Sequence, residues 1–121
     1  MRHIVPQTGQ EALEFDGQLL ARESSERLYK KYWTELAVYV TAAGTYVVEV
    51  VGGARNPDDI TFRIGHVCAT PADVFKVLRS RNKDEEGPSQ LAIKVLEKAA
   101  ETDHNIATEL DTREAKTRLV D

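Results

Sequence analysis

The apolar repeat of this chain changes once, around Ala69-Thr70-Pro71. Before that point apolar side chains recur at every second residue, the period of a strand. After it they recur at the three- and four-residue spacings of a helix. In WTELAVYVT, residues 33 to 41, Leu36, Val38 and Val40 fall on one face, with Trp33, Glu35, Ala37, Tyr39 and Thr41 on the other. AAGT follows, and Gly44 suits the left-handed conformation of a short hairpin loop. TYVVEVV, residues 45 to 51, is the returning strand, rich in β-branched residues. Upstream, Leu13, Phe15, Leu19 and Ala21 alternate with polar residues, with Gly17 at the place of a bulge. Downstream, Ile60, Phe62, Ile64, His66 and Cys68 share a face, and GGARNPDD, residues 52 to 59, reads as a loop.

Beyond the change of period, Thr70 is placed to cap a helix, Pro71 suits its first position, and Asp73 suits its positive end. Val74, Phe75, Val77 and Leu78 form the buried side of that helix, which ends near Arg81. After the charged break NKDEEGP, a second helix opens at Ser89 with Leu91, Ala92, Val95, Leu96 and Ala99 as its stripe. Asp103 can cap a third, short helix through Leu110. Strands gathered before helices predict an α+β fold. The expected architecture is a four-stranded antiparallel meander with strands near 13–24, 33–41, 45–51 and 60–68. Two or three C-terminal helices pack on one face of it. Residues 1–121 read as a single domain, with 1–10 a loose arm and 112–121 a frayed tail.

Charge narrows the partners. Residues 1–81 hold ten Lys/Arg against ten Asp/Glu, whereas 82–121 hold six against ten, which accounts for the whole net charge of −4. That balance argues against general binding to a polyanion and leaves only local patches. No apolar run approaches the ~20 residues of a membrane span, and MRHIVPQTGQ lacks the apolar segment of a secretory signal. Cys68 is the lone cysteine, so a reduced, cytoplasmic setting is expected.

RLYKKYW, residues 27 to 33, is the densest basic and aromatic stretch. It joins the first two expected strands, where lysine discourages edge-to-edge pairing. Strand parity puts Lys31, Trp33, Glu35 and Tyr39 on the face that the helices leave open. Arg27, Tyr29, Lys30, Lys31, Trp33 and Tyr39 are therefore the candidate partner-binding residues. Aromatic rings beside basic groups on an open sheet can stack single-stranded nucleic acid, but Glu35 sits between the two rings. The hairpin is apolar on both faces, so it is covered twice within the chain or once by another chain. A homodimer is the expected answer.

Catalytic and cofactor motifs fare worse. His66 and Cys68 are spaced for a thiolate–imidazole pair or two metal ligands. A structural zinc needs four ligands, and the run Ile60, Phe62, Ile64 predicts burial for both. Asp58 and Asp59 lack both a phosphate-loop pattern and an Asp/Glu-x-Lys on the next strand. No cofactor and no metal is expected.

FDGQLLARESS, WTELAVY and GTYVVEVVG, within residues 15 to 52, resemble a group of small uncharacterised bacterial proteins. The resemblance implies a bacterial, cytoplasmic setting and brings no activity and no site residue. The chain is thus expected to be a non-enzymatic interaction or regulatory module, recognising a partner or its own copy through the open sheet face. Single-stranded nucleic-acid binding through 27–33 is the alternative. A small enzyme using Cys68 and His66 is the third reading.

Overall fold

The computed structural model describes residues 1–25, 32–54, 56, 62–80 and 90–120, the side chains of Ser80 and 114–120 excepted. The fold is α+β, as its period change requires. Five antiparallel strands run in order β1 (Arg2–Gln7), β2 (Gln10–Ser24), β3 (Tyr32–Thr41), β4 (Tyr46–Ala54) and β5 (Phe62–Cys68). Helices α1 (Pro71–Ser80), α2 (Gln90–Ala100) and α3 (His104–Val120) follow. The sheet is a simple meander, but it curls. The β1–β2 turn returns to the start of β5, where the Thr8 N–H donates to the Arg63 carbonyl at 2.8 Å. The Arg63 N–H donates to Thr8 Oγ1 at 2.8 Å, and the Gly65 N–H to Gln7 Oε1 at 3.0 Å.

The β3–β4 hairpin forms as its sequence dictates. Gly44 takes φ +87°, and Thr41 and Thr45 close the turn through the bond from the Thr41 N–H to the Thr45 carbonyl. Leu36, Val38, Val48 and Val50 face the helices and form one core with Val74, Leu78, Val95, Leu96 and Ile106. Two caps seat the helices. Thr70 Oγ1 accepts the Asp73 N–H at 3.2 Å, and Asp103 Oδ1 accepts the Ile106 N–H at 2.9 Å. Asp103 also accepts the Tyr46 hydroxyl at 3.1 Å, which ties α3 to β4. Among the described residues, no helix is long and apolar enough to cross a membrane.

Five strands replace the four expected, because residues 2–7 form β1 instead of lying loose. The difference matters, since β1 closes the concave side. Val5, Leu13, Phe15, Ala37, Tyr39 and Val47 make a second, smaller core there. The face expected to be open is therefore filled by the chain itself, and the surplus apolar surface that argued for a second copy is already covered. Backbone space decides how tightly the curl closes. A Cβ on Gly65 would stand 2.6 Å from Leu13 Cδ1 and 3.1 Å from Val5 Cγ1, so glycine lets β1 and β2 fold over β5 without displacing those side chains.

Other boundaries move for similar reasons. Gly52 and Gly53 continue β4 instead of opening a loop, because Phe62 lies over one and Trp33 over the other. The bulge of β2 falls between Leu19 and Ala21, not at Gly17, and it turns Ala21 from the concave face toward the helices. The third helix runs past Leu110 through Val120, across the segment expected to fray. The starts of the fourth expected strand and of the second helix, Ile60 and Ser89, lie outside the described residues.

Gly65→Val should crowd the concave core and lower the unfolding free energy by roughly 1–3 kcal/mol. Denaturant titration of the variant checks this, and an unchanged midpoint would show that Leu13 and Val5 are not packed there.

Candidate functional site

Trp33 and Tyr39, the described members of the expected site, lie on the concave face but play different parts. Arg27, Tyr29, Lys30 and Lys31 lie outside the described residues, as do Asp58 and Asp59. Tyr39 is 4% exposed. Its ring stands 4.9 Å from that of His3 and 5.3 Å, edge-on, from that of Phe15, so it has no free face on which to stack a base. Trp33 is partly buried, its ring laid across Gly53 at the far end of the same face.

Between them lies a polar cluster built around Glu49. Its carboxylate is buried, in a concave position flanked by Ala37 on β3 and Gly65 on β5, both small. Small neighbours leave room for longer side chains to reach over them. Arg22 Nη2 lies 3.5 Å from Glu49 Oε1, and Arg63 Nη1 lies 3.9 Å from Oε2. The Tyr39 hydroxyl donates to Glu49 Oε1 at 3.4 Å and accepts from Arg22 Nη2 at 2.8 Å. Arg22 Nη1 donates to Glu35 Oε1 at 2.6 Å. Four strands thus meet on one carboxylate, and two guanidinium groups balance two carboxylates.

The β2 bulge makes this possible. Before it, the odd residues Leu13 and Phe15 face inward. After it, Arg22 pairs with Ala37 and Ser24 with Glu35, so even residues face inward. Without the extra residue, Arg22 would point into the helical core.

The cluster shifts its members in one direction. Burial alone would lower the Arg22 guanidinium, but the bond to Glu35 and the nearby Glu49 charge outweigh it, so Arg22 stays charged. Burial and the Glu49 charge raise the Tyr39 phenol, which stays protonated. Nothing here resembles a poised base. The thiol expected as a nucleophile is no better placed. Cys68 is buried in the helix-side core, and burial, with the Asp73 charge, pushes it up to about 11. A reactive thiol needs the opposite shift. Among the described residues no three His, Cys, Asp or Glu side chains gather to hold a metal.

Glu49 is the one member of the cluster that the sequence marks by itself. A single carboxylate at the centre of Val47-Val48-Glu49-Val50-Val51 is a buried charge that must find partners. The alternation of its strand places Arg63 on the face opposite Phe62 and Ile64, whereas Arg22 carried no such signal, because its face depends on the bulge.

No protein-family model matches the chain, and neither does any curated protein or solved structure.

Glu49→Ala leaves the guanidinium groups and the phenol without their central acceptor, and should cost roughly 1–3 kcal/mol. Adding Arg22→Met should recover part of that loss in denaturant titrations, and a strictly additive double variant would contradict the coupling. A second expectation concerns alkali. The Cys68 thiol is raised from its ordinary 9 to about 11, so the unfolded chain gives up that proton first. Its contribution is complete below pH 9 and fades between 9 and 11. Tyr39 and Tyr46, both raised above 10, add to the loss only beyond that value. Denaturation midpoints should therefore hold to pH 9 and then fall, with Cys68→Ala delaying the onset. An onset unmoved in that variant would contradict this origin.

Proposed function

We propose that this chain is a non-enzymatic recognition module that engages a protein partner, or a second copy of itself, through the sheet rim centred on Trp33. One observation carries the reading: an indole only partly covered by its own chain stands at the end of a sheet face that carries two half-exposed arginine side chains, with an exposed tyrosine on the other face of the same strand end. Trp33 lies across Gly53 on the concave face, which also carries Arg22 of β2 and Arg63 of β5, both about half exposed. Tyr32, which precedes it on β3 and points to the opposite face, is 56% exposed. Trp, Tyr and Arg are the residues that most often anchor interfaces. Arg27, Tyr29, Lys30 and Lys31, the basic and aromatic stretch, immediately precede β3 in the sequence.

The groups that could do chemistry are engaged elsewhere. Glu49, Tyr39 and Arg22 hold one another, and Cys68 is kept neutral inside the core, which favours binding over catalysis. The stacking alternative is weakened because Tyr39 is enclosed and Glu35 faces the remaining ring's neighbourhood. The bacterial, cytoplasmic setting implied by the resemblance of residues 15 to 52 belongs to the same proposal.

A photo-crosslinking side chain placed at Tyr32 tests the rim directly, with one at Lys94 on α2 as control. The expected result is a discrete cross-linked protein product from position 32 that Trp33→Ala removes. Equal, diffuse labelling from both positions, or a nucleic-acid adduct, would overturn the reading.

A further inference from the structure

The concave face ends, beyond the β3–β4 turn, in a cleft of about 400 Å³. Leu13, Phe15, Val47 and Val67 line it with the turn at Thr41–Thr45. Val67 is 67% exposed, an unusual state for a β-branched residue on a strand.

Strand edges border this cleft on two sides. Along β5, the Arg63 carbonyl accepts the Thr8 N–H, the Arg63 N–H donates to Thr8 Oγ1 and the Gly65 N–H donates to Gln7 Oε1, so these groups point away from β4. Val67 continues that parity, so its N–H and C=O also point away from β4. Along β2, the Gly17 N–H donates to Met1 on the β1 side, and the Asp16 carbonyl accepts from Ala42 on the β3 side. Glu14 shares the parity of Asp16 but lies beyond the end of the β2–β3 register, so its N–H and C=O point to the side of β2 that β3 leaves open. Free edges are normally blunted by proline, lysine or a bulge. β1 has Pro6 and a register shift between Val5 and Gln7, whereas β5, FRIGHVC, has no such feature.

The charge at the cleft selects among extended occupants. Glu11, Glu14 and Asp16 stand on this part of β2, and Glu14 is paired with Arg2 of β1 at 3.0 Å. Asp16 makes no ion pair among the described residues.

We propose that this cleft is a docking site for an extended, basic and apolar peptide segment of a partner protein. The segment adds its backbone to the open edges at Glu14 and Val67. It sets an apolar side chain against Phe15 and Val67 and reaches Asp16 with a basic one. The site is independent of the rim at Trp33, which lies at the opposite end of β3 and β4.

The test uses the full chain and a short, capped peptide of alternating lysine and valine, with a glutamate–valine peptide as its counterpart. Backbone NMR should show saturable shifts confined to residues 13–16, 41–47 and 67. Val67→Asp and Asp16→Lys should each weaken binding about tenfold, and the glutamate peptide should bind at least about tenfold more weakly. Both substitutions fall on exposed side chains, and spectral dispersion reports whether each variant keeps the fold. Absent or scattered shifts, unaltered affinity in Val67→Asp, or equal binding of the two peptides would overturn the proposal. So would concentration-dependent shifts of the same residues without peptide, which would assign the edge to a second copy.

Discussion

β4 carries Val47, Glu49 and Val51 toward one face and Tyr46, Val48 and Val50 toward the other, and all six are buried. A strand of that composition cannot leave either face to water, because each exposed Val side chain forgoes about 1.5–3 kcal/mol of burial. The helices cover one side. The other is covered only because the meander is long enough, and free enough of bulk at Gly65, to bring β1 and β2 around over β5. The curl answers the β4 composition, and the remaining features of the sheet accommodate the curl.

Glu49 is the cost of that arrangement and also its fastener. A carboxylate within a closing apolar face needs compensation, which arrives from three different strands: Arg22 on β2, Tyr39 on β3 and Arg63 on β5. Such a cluster adds little net stability, because desolvation offsets most of the attraction. Its effect is on register. A slip of β2 by one residue would withdraw Arg22 and return Ala21 to the concave face, leaving Glu49 buried beside an unmatched neighbour. The same concave face grades from this balanced polar cluster, through the small core around Tyr39, to the open apolar cleft at Val67.

Much of this was legible in the sequence, and the rest was hidden for identifiable reasons. The hairpin from Trp33 to Val51, the helix start at Thr70 and the cap at Asp103 follow from local pattern, and local interactions form them. β1 escaped because only two or three of its residues face inward, one of them His3, and because Pro6 reads as a break. Gly52 and Gly53 signal a loop in isolation, and only the rings of Phe62 and Trp33, brought in by neighbouring strands, make them strand residues. The Leu19-Leu20 pair marked the bulge no more strongly than Gly17 did, and with the bulge misplaced the face of Arg22 was unreadable. Alternation alone places Tyr39 on the face opposite Leu36 and Val38. Its burial depends on β1, so the error about one strand became an error about the site.

The curl, the Glu49 cluster and the enclosure of Tyr39 all depend on a concave face filled by the chain itself. A nuclear Overhauser spectrum of the dilute protein tests that most directly. Contacts from the His3 ring to the Tyr39 ring, and from the Leu13 methyls to the Gly65 α-protons, should appear with intensities independent of protein concentration. Their absence, or contacts to Tyr39 that appear only between differently labelled chains, would mean that another molecule covers this face.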